Sequence, residues 1–484
     1  MTTSSITSLL IWLPIGAAIA FWILPLSRYA IGSLAVLVSL VEVGFWIEQA
    51  ARFDFARHGL QFSQRTPWIK DLHVSYHVGE YAFSLWLVGL TVIAMAACIG
   101  YGFWVGRDRP RAYFGLMLML TGSTVGVFVS QDMLLFYAFF EAMLIPLYIL
   151  IGVWGGAGRM GATIKLLIYT MTGSLVMLAA IIVYGLKVGT FDLVDAPPSA
   201  SRWLFLGFML AFAIKAPLFP FHGWLPDAYR EAPPEVTAVL SGVIAKAGTY
   251  GMLRIALTKF PDPSGYYRTV VLALGAAALV YGSLLAFRAA DFRGVVAYSS
   301  MAQSGLITIG LFSGTNIGFD GAVLQMVAHG LISCSLFLIA GTVERRTTTG
   351  EFARLGGMAR GRPALATLLM TVGVISLAVP GSAAFAGEFL ILAGAYQRAW
   401  WWAAIGATGI VLAAMYMLRL ISAVLHEARG PAVPDAALDL RAGELALVVP
   451  LVAALLVLSA WPAGISHHSF AGDAPVQAVQ GQFR

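Results

Sequence analysis

The sequence is short of charge and of cysteine. Only 11% of its 484 residues are Asp, Glu, Lys or Arg, less than half the roughly 25% of an average soluble domain. A soluble globule of this length needs far more polar surface, and a disordered chain needs more charge and fewer apolar residues. Both are excluded. The net charge of +6 would suit nucleic acid only if the basic residues were gathered on one face. They are scattered instead through short connections between apolar runs, so no nucleic-acid partner is expected. Cys98 and Cys334 are the only cysteines, too few for an iron–sulfur cluster or a cysteine-based zinc site. Both sit inside apolar stretches, as packing residues do.

Catalytic motifs are missing as well. No Walker loop, CxxC pair, HExxH or GxSxG occurs. Gly156–Gly161 fits GxGxxG, but a dinucleotide site needs a preceding strand and an acidic residue about 20 positions on. Here an apolar helix precedes the motif and the region near 180 is apolar, so it reads as a flexible loop. His467 and His468 make a poor metal pair without further ligands. No redox centre or covalent catalytic site is visible, and the energy source is expected in a partner.

What the chain has is apolar length: 59% of it is hydrophobic. A helix needs about 20 apolar residues to cross about 30 Å of hydrocarbon. About fourteen segments qualify, near 9–27, 29–49, 83–105, 112–130, 132–154, 163–186, 203–229, 234–258, 267–287, 291–312, 316–342, 363–395, 399–425 and 443–465. The expected fold is an all-α polytopic membrane protein. The first span lacks the basic n-region and small-residue site of a cleaved signal peptide. The polar connection 50–82 offers Trp68, Tyr76 and Tyr81 as interfacial anchors. Arginine is concentrated in two loops, at 107, 109 and 111 and at 345, 346, 354, 360 and 362. Placing both on the cytoplasmic side puts both termini outside.

Two segments are too long for one straight helix. The stretch 203–229 holds Pro217, Pro220 and Pro226, and 363–395 holds Pro380, Gly381 and Gly387. Proline breaks a helix, and a broken helix persists in a membrane only where protein or water satisfies its freed backbone. The seventh and twelfth spans are therefore expected to be broken and to face a polar interior. Their separation by five spans suggests two inverted five-helix repeats. The chain divides on this reading into 1–111 (spans 1–3 and an outer loop), repeats at 112–258 and 259–425, and a last span with a polar tail at 426–484.

Several spans carry charge where charge costs about 2.5–3.5 kcal/mol per residue: Glu141, Lys215, Lys246 and Glu388, with His329 beside them. Lys165 opens an apolar run. Structural ion pairing would account for Glu141, Lys215 and Lys246, a hydrogen-bonded buried imidazole for His329, snorkelling for Lys165, and backbone capping for Glu388. The functional reading is a proton relay. A buried lysine gives up its proton easily, and a carboxylate that approaches or withdraws sets whether it does. Histidine relays protons near neutral pH.

The strings around these residues resemble a known family. KAPLFPFHGWLPDAYREAPPEVTAVLSGVIAKAGTYGMLR (215–254), AYSSMAQSGLITIGLFSG (297–314) and LQMVAHGLISCSLFLIAG (324–341) are similar to the core of the antiporter-like subunits of respiratory complex I. FYAFFEAMLIPLYILIGVWGG (136–156) and VPGSAAFAGEFLILAGAY (379–396) look most like the subunit M branch of bacterial NADH:quinone oxidoreductases. The resemblance covers roughly 80–430. It implies fourteen helices with two inverted repeats and broken helices 7 and 12. It implies a proton path through Glu141, Lys215, Lys246 and Glu388, with Lys165 and His329 in support. It implies no cofactor in this chain: NADH, flavin, iron–sulfur clusters and quinone would bind partner subunits, beside other antiporter-like subunits of a bacterial inner membrane. Two departures stand out. Gln303 occupies a position usually held by histidine, and an amide cannot titrate. Glu80 stands where the family often has Asp-Gly. An Mrp-type sodium/proton antiporter or membrane-bound hydrogenase shares the same core, and a self-contained solute transporter is the rival of another class.

Overall fold

The computed structural model describes residues 3–57, 59–434 and 438–470. Most of the polar tail expected beyond 466 lies outside the described residues. Among the described residues, twelve helices are long and apolar enough to cross a membrane. They are α1 (Thr3–Ile23), α2 (Arg28–Arg52), α3 (Ala82–Val105), α4 (Pro110–Val129), α5 (Met133–Trp154), α6 (Arg159–Val188), α9 (Pro234–Lys259), α10 (Pro261–Arg288), α11 (Phe292–Ser313), α12 (Asn316–Thr347), α15 (Trp400–His426) and α16 (Ala442–Ala460). Their starts follow local chemistry. Side chains of Ser27, Asp132, Ser201, Asp291, Thr315 and Ser382 accept hydrogen bonds from first-turn amides.

Twelve helices, and not fourteen, qualify individually because the seventh and twelfth segments are split. The seventh is α7 (Arg202–Lys215) followed by α8 (Leu225–Glu231), and the twelfth is α13 (Pro363–Ser376) followed by α14 (Ala383–Arg398). Pro217 and Pro220 fall in the first gap, Pro380 and Gly381 in the second. Gly381 has φ +92°, and Ala378 shares the left-handed region. Two expected breakers do not break. Pro226 sits in the first turn of α8, where no amide donor is required. Gly387 lies inside α14, where a Cβ would stand 2.5 Å from the Gln325 Oε1, so it serves close helix packing.

The element order repeats. Three long helices, a split pair and one helix with π-helical turns occur as α4, α5, α6, α7/α8, α9 and again as α10, α11, α12, α13/α14, α15. The helices α9 and α12 are buried along their whole apolar length, whereas α1, α2 and α16 are mostly exposed on theirs. The interior of the bundle therefore lies at α9 and α12, and the lipid-facing elements surround it.

One element departs from an all-helical chain. The connection 50–82 folds into an antiparallel hairpin, β1 (Gln61–Ile69) with β2 (Val74–Glu80). The hairpin is clasped to the loop after α6: His77 Nδ1 lies 2.6 Å from Asp192 Oδ2, and Arg65 pairs with Asp195 at 2.6 Å. Burial raises the Asp192 carboxyl, but His77 and the Val194 and Asp195 amides outweigh it and hold the group below its ordinary value. Trp68 is exposed as expected of an anchor, whereas Tyr81 is buried and stacked on Phe83. The Tyr76 hydroxyl pairs with Ser8 at 2.9 Å.

Candidate functional site

The buried charges gather around α9. Gly248 brings α7 and α9 together, since a Cβ there would stand 2.6 Å from the Ala216 amide nitrogen and 2.7 Å from the Phe212 carbonyl. Gly242 does the same for α9 and α12, against Cys334 and the Gly330 carbonyl. Glycine is what lets Lys215, Lys246 and His329, on three different helices, share one interior.

Lys215 ends α7 and is buried. Its Nζ lies 4.8 Å from the centre of the Phe140 ring, a cation–π contact worth roughly 0.5–2 kcal/mol. Glu141 is the next residue on α5. Among the described residues Lys215 and Glu141 form no ion pair within 4 Å. Glu141 is half-buried and lines a cleft of about 630 Å³ with Ala138, Leu144, Tyr148, Leu167 and Met171.

Lys246 follows the π-helical turn Leu240–Ile244, a geometry common at functional sites. It is buried, and its Nζ donates to the Ser241 carbonyl at 2.9 Å. The Ser241 hydroxyl meets two others, Ser300 at 2.7 Å and Ser333 at 2.6 Å. Ser333 in turn lines a small cavity with Ser299, Gln303, His329, Glu388 and Tyr416. Its volume is about 10 Å³, the space one water centre needs. His329 is buried there, and its Nε2 has no hydrogen-bond partner.

Glu388 closes the row. Its Oε1 accepts from Gln303 Nε2 at 2.8 Å, and Gln325 Nε2 donates to Gln303 Oε1 at 2.7 Å. Its Oε2 has no partner. The Gln303 departure thus has a structural consequence: the amide pair holds one oxygen of the carboxyl and leaves the other without a partner among the described residues.

The structure thus brings Glu141 beside Lys215, and Lys246, His329 and Glu388 around a serine cluster and a water-sized space. Lys165 stands apart. Its Nζ pairs with Asp227 Oδ2 at 2.8 Å, with both side chains nearly half exposed. Ser241, Ser300, Ser333, Gln325 and Tyr416 were not legible as site residues, because a lone hydroxyl or amide in an apolar helix carries no signal until four helices converge. Glu42 was legible in principle. It is a carboxylate inside the second span, and a search for intramembrane charge finds it.

The family model for NADH:quinone oxidoreductase/Mrp antiporter transmembrane segments matches residues 130–413. That range contains Glu141, Lys215, Lys246, His329 and Glu388; Tyr416, which also lines the cavity, lies just beyond it. The chain belongs to this family. Among its relatives is the NADH-quinone oxidoreductase subunit M of Rickettsia prowazekii, 39% identical over 407 residues and covering 83% of this chain and 82% of that one. The subunit of that name from Rhodobacter capsulatus is 38% identical over 430 residues, with 85% and 83% covered. A chain of respiratory complex I from Thermus thermophilus superposes with a TM-score of 0.90 at 29% identity, over 99% of this chain and 100% of that one. The split helices and the paired five-element units are features of this family's fold as it is realised here.

Proposed function

We propose that this chain is a proton-translocating membrane-arm subunit of an NADH:quinone oxidoreductase, and that protons pass along Glu141, Lys215, Lys246, His329 and Glu388. The observation that carries the reading is the cluster of buried polar groups around Lys246 within the matched region. Lys246 is tied to the Ser241 carbonyl, and the Ser241 hydroxyl joins those of Ser300 and Ser333, the last of which lines the cavity shared by His329 and Glu388. Hydroxyls donate and accept at once, so they pass protons without titrating.

Lys215 is the gate. With Glu141 withdrawn, the ammonium rests on Phe140 and releases its proton toward Lys246. With Glu141 close, it holds the proton. Gln303 takes no proton itself. It orients Glu388, and one water in the cavity takes the step for which a histidine would otherwise serve. Lys165 modulates this path from its pair with Asp227.

The chain spans the bacterial inner membrane with both termini outside, and each split helix counts as one crossing, for about fourteen in all. The two five-helix units, 112–258 and 259–425, are inverted relative to each other. Redox cofactors and quinone lie in partner subunits, and other antiporter-like subunits adjoin this one. The enzyme activity belongs to the assembly as a translocase.

Purification of the tagged chain in mild detergent, with mass spectrometry of the co-purifying proteins, tests the assignment. Flavin- and iron–sulfur-bearing partners are expected together with a quinone-site subunit. Recovery of multi-span partners alone would favour an antiporter, and recovery of a lone chain a solute transporter. Within the assembled complex, Ser241→Ala removes both hydroxyl contacts. NADH-driven proton uptake into vesicles is expected to fall several-fold, with Ser241→Thr restoring most of it. Unchanged uptake in Ser241→Ala would remove the serines from the path.

A further inference from the structure

The helix α2 turns its polar side inward. Its buried positions are Ile31, Gly32, Ala35, Ser39, Glu42 and Gln49, while Leu34, Leu37, Leu40, Val41 and Ile47 are exposed. Polar residues inside a membrane helix face the bundle because lipid offers them no partner. Two of the three find one: Ser39 donates to the Val36 carbonyl at 2.8 Å, and Gln49 to Thr7 Oγ1 at 2.8 Å. Glu42 does not. It is fully buried, and among the described residues neither carboxyl oxygen has a hydrogen-bond partner.

Among the described residues, no Lys, Arg or His side chain pairs with Glu42. The helices packed on α2 are α1, α3 and α4. The first has no titratable side chain between Thr3 and Ile23. The second carries Cys98 and Tyr101, and the third Arg111 and Tyr113. Arg111 binds the Leu26 carbonyl and Tyr113 donates to Glu235. On α2 itself, Arg28 binds the Gly106 and Arg107 carbonyls, and Arg52 pairs with Glu48. An ionised carboxylate at Glu42 would bear its full desolvation cost, several kcal/mol, with nothing to offset it. The group is therefore a neutral acid.

A second buried acid lies at the end of the hairpin. Glu80 ends β2 opposite Gln61, is fully buried, and has no hydrogen-bond partner at either oxygen. Gln49 lies alongside it. Gln49 is seven residues beyond Glu42, about 10 Å along the helix axis. The Gln49 Oε1 is also without a partner.

We propose that Glu42 and Glu80 form a second proton-binding site, bridged by Gln49 and separate from the row that runs from Glu141 to Glu388. Both hold a proton at neutral pH. Glu80, next to the hairpin, exchanges with the aqueous side, and Glu42 exchanges through it. Burial lifts the Glu80 carboxyl to about 8, with the Gln49 amide opposing the shift, which leaves it protonated yet titratable in the physiological range.

Infrared difference spectroscopy of the intact complex in H2O and D2O tests this. The wild type is expected to show a carbonyl band of a protonated carboxylic acid that shifts in D2O and is lost in Glu42→Gln. In Glu80→Gln the Glu42 band remains but its shift slows. Glu42→Met fills the same space without a polar group, so it serves if the amide fails to assemble, and it too loses the band. Three results would each overturn the proposal: no band lost with Glu42, a band that does not shift in D2O, or an unslowed shift in Glu80→Gln. These readouts do not involve pumping, so they stand or fall apart from the proposed relay.

Discussion

An assembled complex carrying Lys215→Ala is expected to lose NADH-driven proton pumping by about tenfold or more, because the proposed path loses a positioned proton carrier. Folding should tolerate the change. Lys215 makes no ion pair among the described residues and rests on Phe140, so its removal leaves no buried partner charge behind. What is lost is the lysine proton carrier that the proposed path places between Glu141 and Lys246. Lys215→Arg separates charge from proton transfer, because a guanidinium keeps its proton under all physiological conditions. It should be as inactive as the alanine variant. Glu141→Gln should follow, since a neutral amide cannot hold the lysine's proton. Proton uptake in inside-out vesicles, normalised to assembled complex on native gels, measures all three. Normal uptake in assembled Lys215→Ala would end the assigned role.

Glu235→Ala is expected to strike stability instead. Glu235 is fully buried in the first turn of α9. It accepts from Arg107 Nε at 2.6 Å and Nη2 at 2.8 Å, and from the Tyr113 hydroxyl at 2.5 Å. The helix N-terminus favours the same negative charge. This carboxylate ties the loop between α3 and α4 to the central helix. Deleting it strands a largely buried guanidinium, which costs roughly 3–5 kcal/mol. The expected result is a sharp drop in subunit abundance and in the thermal midpoint of the purified complex. Replacing both partners, Arg107→Met with Glu235→Met, should recover much of the loss, because the stranded charge goes with the pair. A midpoint unmoved by Glu235→Ala would show that the clamp does not hold the two elements together.

Much of the site was readable before folding because charge inside an apolar run is conspicuous. Glu141, Lys215, Lys246, His329 and Glu388 announce themselves by the cost of burying them. Glu42 obeys the same rule and passed unnoticed among the lipid-facing leucines of its helix. The serine cluster around Ser241 obeys no such rule. A hydroxyl satisfies itself on its own helix, as Ser300 does on the Val296 carbonyl, and only an approaching neighbour makes it part of a path. The breaks show the same division. Pro217, Pro220 and Pro380 interrupt helices wherever they sit, because a missing amide is a local fact. Whether Pro226 and Gly387 also break a helix depended on position within a turn and on what packed against them.

The sequence by itself determined that the chain lives in a membrane, where its spans run, and which of them are split. Those outcomes follow from one-dimensional quantities: apolar length against bilayer thickness, and the backbone donors that proline removes. Tertiary structure alone decided that 50–82 forms a clasped hairpin, that Lys165 pairs outward with Asp227, and that Gln303 and Gln325 hold Glu388 toward His329. Each of these is a meeting of groups far apart along the chain, and the closest approaches between them were set by glycines whose role is invisible until two helices touch.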